Sequence, residues 1–309
     1  MNKALVGYTG FVGSNIYAAG DFSGYNTKNI EDSFGTKPDL LIYAGLRAEK
    51  FLANKAPEKD YELIAEAYDN IMKIGPKKLV LISTVDVIKD PDKADEDVVI
   101  ETEGLQPYGL NRYLLEKQVR EEFPDALIIR LPGLFGKNIK KNFIYDLINV
   151  IPGMLRADKF EELSVKEPVL KNYYRLLDNG FYKADVPEDD REMLKDLFRK
   201  LGFTALNFTD SRNVYQFYDL GNLWKDINTA LENGITLWHP ATEPVSAAEV
   251  YRFVTGSEFE NELSNTPVCY DFRTKYSELF GGKDGYICGK EEVLEGIRRF
   301  VLFMTSKKA

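Results

Sequence analysis

Short apolar runs recur along the first half of the chain, at residues 3–6, 39–44, 78–83 and 126–131. Continuous apolar runs of this length are typical of strands whose two faces are both buried, as in a parallel sheet. Each run therefore predicts one strand of a common sheet.

Helical patterns separate these runs. Apolar and aromatic side chains recur at spacings of three and four over 57–74, and Gly75 and Pro76 end that segment. A similar pattern over 108–123 stops before Pro124. Strands that alternate with helices form βαβ units with right-handed crossovers. The sequence therefore predicts an α/β fold built on a doubly wound parallel sheet.

Composition narrows the class of protein. Among 309 residues, 40 Lys and Arg stand against 49 Asp and Glu, which gives a net charge of −9. An acidic surface repels phosphate backbones and argues against nucleic acid as a partner. One histidine and two cysteines argue against a disulfide framework, most histidine-based catalysis and a metal site.

The chain also lacks the marks of a membrane or exported protein. No apolar stretch reaches the length of about 18 residues that predicts a membrane span. The first strand pattern begins at once and leaves no room for a signal peptide. We therefore expect a cytoplasmic protein with no membrane partner.

The most specific motif is the run Gly7-Tyr-Thr-Gly10-Phe-Val-Gly13, between the first predicted strand and a helical segment at 14–19. A dinucleotide pyrophosphate needs a tight turn, close backbone approach and a helix N-terminus that faces its charge. The glycines supply the first two requirements and the helix supplies the third. A tight turn without a ligand is the alternative, and we favour a dinucleotide loop.

The segment after the second strand bears on the choice of cofactor. An Asp or Glu there binds the adenine ribose of NAD and repels a 2′-phosphate. Here the sequence reads Tyr25-Asn-Thr-Lys-Asn, and Asn26, Thr27 and Lys28 could donate to a phosphate. The cofactor is therefore NADP or NAD, with NADP favoured, unless these are only solvated turn residues.

The middle of the chain has a different character. Strand signals are scarce between 152 and 210, and 190–201 is a clear amphipathic helix with Gly202 after it. This insertion is either a packing appendage or a lid over a pocket. The predicted organisation is a dinucleotide-binding Rossmann domain over 1–135, completed by about 212–245, with a mostly helical insertion over 136–211 and a smaller substrate region over 246–309.

A tyrosine and a cation are spaced to act together. Tyr108 opens the second predicted helix, and Arg112 lies four positions on, so both project from one face. A tyrosine that passes a proton at neutral pH needs its pKa lowered from about 10, and a neighbouring cation favours the phenolate. Thr84, at the end of the third predicted strand, could hold the substrate oxygen with its hydroxyl.

Together these motifs resemble the extended short-chain dehydrogenase/reductase superfamily, in its NAD-dependent epimerase/dehydratase branch. The resemblance covers most of the chain except about 152–210. It implies an NAD(P)-dependent oxidoreductase or epimerase that acts on a nucleotide-linked sugar, and it suggests a homodimer. The motifs that carry it are GYTGFVG at 7–13, ISTVDV at 82–87 and PYGLNRYLLE at 107–116, with looser matches in RLPGLFG at 130–136, NFI at 142–144 and QFYDL at 216–220.

The resemblance also implies roles for single residues. Thr84 would be the hydroxyl of the family's Ser/Thr–Tyr–Lys set, and Tyr108 its acid/base. Asn142 and Gln216 would fall in the sugar-nucleotide pocket. The cofactor-binding residues are then Gly7, Thr9, Gly10, Phe11, Val12, Gly13, Asn26, Lys28, Ala44, Gly45, Tyr108, Arg112 and Pro132, the last of these beside the nicotinamide.

Two departures from the family pattern matter. Arg112 replaces the lysine, and although its charge can lower the pKa of Tyr108 and hold the ribose, Arg and Lys are not interchangeable at a tight contact. Val85 and Asp86 stand where sugar 4,6-dehydratases have an acid and a base, so dehydration is poorly supported. Asp86 remains a lone base, a substrate hydrogen-bond acceptor or a strand-end cap.

Two other functions stay open, and Arg112 is the feature behind the first. One is a dinucleotide-binding sensor or scaffold that has lost turnover. The other is a reductase of a carbonyl compound that is not a sugar.

Overall fold

The computed structural model describes residues 2–306. The strands are β1 (Lys3–Val6), β2 (Ser23–Tyr25), β3 (Leu40–Tyr43), β4 (Leu79–Thr84), β5 (Leu127–Leu131), β6 (Gly133–Phe135), β7 (Met154–Arg156), β8 (Tyr174–Leu176), β9 (Phe181–Ala184), β10 (Val214–Tyr215), β11 (Phe217–Asp219), β12 (Leu237–Trp238) and β13 (Val245–Ser246). The α-helices are α1 (Phe11–Ala19), α2 (Lys50–Lys55), α3 (Pro57–Ile74), α4 (Pro107–Glu122), α5 (Phe143–Asn149), α6 (Ala157–Lys166), α7 (Arg191–Leu201), α8 (Leu223–Glu232), α9 (Ala247–Thr255) and α10 (Lys290–Ser306).

Six strands form the central sheet, in the order β12-β5-β4-β3-β1-β2, and every neighbouring pair is parallel. The chain winds from β1 to β2 on one side and then from β3 onward on the other. This reversal makes the carboxyl ends of β1 and β3 the topological switch point, where doubly wound sheets bind their ligands. The predicted doubly wound parallel sheet is confirmed.

The strands are apolar throughout because both faces of the sheet are covered. Leu5 and Ile42 belong to the core on one face, and their neighbours Val6 and Leu41 belong to the core on the other. All four are at most 4% exposed. Burial of a Leu, Ile or Val side chain stabilises the fold by about 1.5–3 kcal/mol. Packing on both faces therefore stabilises the sheet, and the carboxyl ends of its strands are held in fixed positions.

The helix predicted over 57–74 is confirmed with the same bounds. Pro57 occupies the first turn, where its missing N–H costs nothing. Gly75 ends the helix with φ of 65°, a left-handed conformation that glycine adopts without strain. The helix predicted over 108–123 is α4, which begins one residue earlier and ends one residue earlier.

The chain forms two compact units. The first comprises the residues up to Ile139 with Val214–Val245 and Val268–Phe300, and the second comprises Lys140–Asn213, Ser246–Pro267 and the residues from Val301. The sequence pattern assigns 268–300 to a substrate region, whereas the structure has them in the first unit. The physical reason is Phe272, which is 1% exposed and packs in one cluster with Val85 and Val87.

The insertion contains three strands that the sequence pattern does not predict. Besides α5, α6 and α7 it holds an antiparallel sheet of three strands in the order β7-β9-β8. These strands are three or four residues long, too short to show a clear alternation. Phe160 of α6 stacks on Tyr182 of β9 with ring centroids 3.9 Å apart, which fixes the helix to the sheet.

No helix within residues 2–306 has the length and apolar character to cross a bilayer.

Candidate active site

The glycine loop lies at the switch point and is closed against the chain after β3. Gly7 has φ of 86°, and a Cβ there would stand 2.4 Å from the carbonyl oxygen of Ala44 and 2.8 Å from Cα of Gly45. A Cβ on Gly13 would stand 2.1 Å from the carbonyl oxygen of Gly7. Contacts this short exclude any side chain, so the sequence keeps glycine where the backbone must fold back on itself.

The first turn of α1 faces the same edge. Gly10 caps the helix without a side-chain hydrogen bond, and the first turn carries no acidic residue. The leading N–H groups of a helix have no intrahelical partner and carry partial positive charge. Thr9 and Gly10 are exposed, while Phe11 and Val12 are partly buried. The loop therefore fits an anionic diphosphate, which backbone N–H groups can bind without a side chain in the way.

Two asparagines order the turn that follows β2. The Asn26 side-chain oxygen accepts a hydrogen bond from the Lys28 N–H at 2.9 Å, and the Asn29 oxygen accepts one from the Asn26 N–H at 2.8 Å. The Lys28 side chain is exposed. No carboxylate occurs between residues 22 and 30 to repel a 2′-phosphate. The contacts predicted for Asn26 and Lys28 stay predictions.

A cavity opens beside the carboxyl end of β4, with about 550 Å³ of empty space that includes its open mouth. It brings together four predicted site residues, Thr84, Asp86, Pro132 and Gln216. The remaining lining residues are Lys50, Val85, Leu131, Gly133, Tyr215, Tyr270 and Phe272. The cavity is thus partly apolar, with a hydroxyl, a carboxylate and an ammonium in its wall.

These three polar groups form a chain of contacts. Lys50 Nζ donates to Asp86 Oδ1 at 2.6 Å. The Thr84 hydroxyl oxygen accepts from the Asp86 N–H at 3.1 Å and lies 3.4 Å from Asp86 Oδ2. The Thr84–Asp86 N–H bond caps the short turn at 85–87, so the strand-end cap is made by Thr84. Asp86 itself presents its carboxylate to the cavity and to Lys50.

Tyr108 lies at the start of α4 and is 7% exposed. It does not belong to the cavity lining named above, but the charges of Asp86 and Lys50 both act on its pKa. Burial raises the pKa of Tyr108 above its usual value, and the positive charge of Arg112 opposes that rise without cancelling it. The net rise differs from the lowered pKa that the sequence predicts, because the desolvation of the phenol outweighs the cation.

Arg112 stacks on the ring of Tyr108, with its guanidinium carbon 3.7 Å from the ring centroid. Its Nη1 and Nη2 bond the two carboxylate oxygens of Asp60 at 2.7 and 3.1 Å, and Nη2 also donates to the Arg47 carbonyl at 2.8 Å. The side chain of Arg112 is 5% exposed and that of Asp60 is 9% exposed. These bonds occupy the end of the fork, so a ribose contact by Arg112 would require some of them to break.

This geometry changes what an Arg112→Lys variant should do. Because the family that the sequence resembles has lysine there, the sequence leads us to expect that the variant keeps its activity or even improves it. A lysine has no planar fork, so it cannot bind both Asp60 oxygens and stack on Tyr108 at once. We now expect a loss of about 1–3 kcal/mol in the free energy of unfolding, the size of a charged hydrogen bond. Urea denaturation of both proteins measures it, and an unchanged midpoint would show that the fork is dispensable.

Two predicted substrate-binding residues have structural duties. The Gln216 amide nitrogen donates to the carbonyls of Thr242 and Phe272, its oxygen accepts from the Phe272 N–H, and the residue is 2% exposed. Both amide hydrogens are therefore used within the protein, while the residue still lines the cavity. Its place in the sugar-nucleotide pocket stays a prediction. Asn142 lies in the second unit and caps α5 through bonds from the N–H groups of Ile144 and Tyr145. Its substrate contact stays a prediction.

The site residues predicted from the sequence do not include Lys50, Tyr270 or Asp60. Asp60 had a detectable signal, because it lies four residues before Ile64 and in line with Ala67 and Ile71 on the buried face of α3. A carboxylate on an apolar stripe requires a buried partner. Lys50 and Tyr270 had no such signal, since each enters the cavity only through the tertiary fold.

Comparisons with known proteins agree with this architecture. No family model and no curated protein matched the chain. Among solved structures, dTDP-4-dehydrorhamnose reductase from Bacillus anthracis, in complex with NADP, is 18% identical with a TM-score of 0.62, over 98% of this chain and 99% of that one. UDP-N-acetylglucosamine 4-epimerase from Methanobrevibacter ruminantium, in complex with UDP-N-acetylmuramic acid, is 13% identical with a TM-score of 0.64, over 99% and 98%.

A third similar structure, RMD from Pseudomonas aeruginosa with NADPH, is 14% identical with a TM-score of 0.60, over 99% of this chain and all of that one. Coverage of 98–99% of this chain includes the insertion and most of the C-terminal part. The chain therefore has the fold of NAD(P)-dependent sugar-nucleotide reductases and epimerases along its whole length.

Proposed function

We propose that this protein is an NAD(P)-dependent oxidoreductase that reduces a carbonyl group on a nucleotide-linked sugar. The observation that carries the proposal is the pairing of two features on adjacent strands. The glycine loop closes on Ala44 after β3, and the cavity with Thr84 and Asp86 follows the neighbouring strand β4. The loop suits a dinucleotide, and the cavity suits the group that the dinucleotide reduces.

The loop residues Gly7, Gly10 and Gly13 would hold the diphosphate, with Ala44, Gly45 and Pro132 nearer the reacting end. A reduced nicotinamide, when bound, supplies a hydride to the carbonyl carbon. Thr84 would donate its hydroxyl hydrogen to the carbonyl oxygen and polarise it. Tyr108 would give that oxygen a proton as the alcohol forms.

Reduction is favoured over epimerisation by the state of Tyr108. Burial raises the pKa of Tyr108 above its usual value, which favours the protonated phenol, the form that acts as an acid. An epimerase must first oxidise its sugar, and that step needs a phenolate to accept a proton. The absence of a carboxylate over 22–30 favours NADP, with Asn26 and Lys28 as the residues near its 2′-phosphate.

Cofactor titration followed by a turnover assay tests the proposal. NADPH and NADH are each titrated into the purified protein, and a panel of nucleotide-linked ketosugars is then added while oxidation of the cofactor is recorded. We expect tighter binding of NADPH and turnover of at least one ketosugar. Absence of binding for both cofactors would overturn the proposal at its first step.

A Gly13→Ala variant should lose cofactor binding. Alanine is normally the better residue inside a helix, by about 1 kcal/mol. Here its Cβ would stand 2.1 Å from the Gly7 carbonyl oxygen and push the loop open. Gly153→Ala is the matched control, because no atom lies within 4 Å of its added Cβ. Circular dichroism confirms the fold of each, and equal affinities of the two variants would show that the loop does not hold the cofactor.

A second candidate function has one observation in its favour. Arg112 replaces the lysine of the family pattern, and its fork is held by Asp60 and Arg47. A protein that binds the dinucleotide tightly but cannot engage the ribose correctly would be a sensor or scaffold. Tight NADPH binding without turnover of sugar or non-sugar carbonyl compounds would favour it.

We also propose the homodimer that the resemblance suggests. Analytical ultracentrifugation of the purified protein tests it, and a monomer would overturn it.

A further inference from the structure

Lys50 begins α2 and reaches into the cavity from a segment that the family pattern leaves without a role. Its Nζ lies 2.6 Å from Asp86 Oδ1, and the side chains are 48% and 26% exposed. Four residues on, Asn54 accepts a hydrogen bond from the Tyr108 N–H at 2.9 Å. Residues four apart share a helix face, so this face of α2 is anchored at both Asp86 and Tyr108.

The contacts of Asp86 are unequal. The distance from Oδ1 to Lys50 is that of a charge-assisted hydrogen bond, whereas Oδ2 is 3.4 Å from the Thr84 hydroxyl. Normal O–H···O bonds measure roughly 2.5–3.0 Å, so the Thr84 contact is long. Within residues 2–306, Asp86 Oδ2 is the acceptor that this hydroxyl hydrogen can reach. Lys50 adds the attraction of opposite charges to its hydrogen bond, whereas the Thr84 hydroxyl carries no net charge, which explains why the carboxylate turns toward Lys50.

Building on the proposed function, we propose that Lys50 is a positioning residue that acts through Asp86. It holds the carboxylate toward α2, and the hydroxyl hydrogen of Thr84 is thereby left for the carbonyl oxygen of the substrate. Without the ammonium, the nearest strong acceptor for that hydrogen is the Asp86 carboxylate itself. Thr84 would then donate its hydrogen bond to Asp86 and not to the carbonyl oxygen of the sugar.

The first test is structural and does not depend on any activity. In a crystal structure of Lys50→Met, we expect the Thr84 Oγ1 to Asp86 Oδ2 distance to shorten to about 2.7 Å, the usual length of such a bond. In Lys50→Arg, which keeps the charge, the distance should stay long. A carboxylate that keeps its position in Lys50→Met would overturn the inference, whether or not the protein reduces sugars.

The second test is kinetic. Lys50→Met should lower kcat by about tenfold, with cofactor affinity unchanged, as expected for a misdirected hydrogen bond to a charged group. The double variant Lys50→Met/Asp86→Ala should recover most of that loss, because no carboxylate remains to capture the hydroxyl. Lys55→Met, an exposed lysine at the end of the same helix, is the control and should turn over normally.

These outcomes distinguish failure of the positioning role of Lys50 from failure of the proposed function. A double variant as slow as Lys50→Met would show that the loss does not come from capture of the Thr84 hydroxyl by Asp86, and this overturns the positioning role. If the wild type binds NADPH but reduces nothing, while the Thr84–Asp86 distance shortens in Lys50→Met, the proposed function fails and the contact network stands.

Discussion

Tyr108→Phe is expected to lose turnover by roughly 10²–10⁴-fold, the usual contribution of a positioned acid or base. The variant removes only the hydroxyl, so the ring can still stack under the Arg112 guanidinium at its present distance of 3.7 Å. The bidentate bond between Arg112 and Asp60 is also untouched. Because the glycine loop would hold the diphosphate through backbone N–H groups, cofactor affinity should stay close to that of the wild type.

The measurement pairs steady-state turnover with fluorescence titration of NADPH. Tyr113→Phe, which removes a hydroxyl from the same helix, serves as the control and should behave as the wild type. Turnover of Tyr108→Phe near the wild-type rate would assign the proton to another group. Asp86 would then be the first to examine, since its carboxylate lines the cavity.

The sequence predicts the strands, helices and loop of this site better than the contacts between its side chains. The apolar runs and the glycine spacing are local, so β1, α1 and the closed loop between them can be inferred from the residues themselves. Pro57 and Gly75 likewise mark a helix whose bounds need no tertiary information. The three strands of the insertion are missed because each is too short to carry a period.

Arg112 shows why the chemistry of the site is harder to predict. Spacing alone places it on the face of Tyr108, and the structure has it there. What spacing omits is Asp60, 52 residues earlier, which binds the guanidinium in a buried ion pair. The predicted contact of Arg112 with the ribose stays a prediction. In the family pattern one lysine tunes the tyrosine and holds the ribose. Here Arg112 holds the tyrosine ring, and Lys50 brings a second, more exposed cation to the cavity.

A second buried ion pair supports the strand that carries Thr84. Glu116 of α4 is 0% exposed and Arg130 of β5 is 2% exposed. Arg130 Nη2 donates to Glu116 Oε2 at 2.7 Å, and Nε lies 3.1 Å from both carboxylate oxygens. The hydroxyl of Ser83, the residue before Thr84, donates to Glu116 Oε1 at 2.6 Å. One carboxylate therefore ties α4 to two neighbouring strands.

Glu116→Ala should lower the free energy of unfolding by about 3–5 kcal/mol, because it leaves the Arg130 charge buried without a partner. Urea denaturation measures the loss, and Glu121→Ala, at an exposed position of the same helix, is the control with an expected change within about 0.5 kcal/mol. The double variant Glu116→Leu/Arg130→Met removes both charges and should regain much of the stability, since an apolar pair of similar volume needs no hydrogen-bond partner. Equal losses in Glu116→Ala and Glu121→Ala would mean that the Arg130 charge finds solvent in the variant. Equal losses in the single and double variants would instead assign the stability to the Ser83 hydrogen bond, which both variants lack.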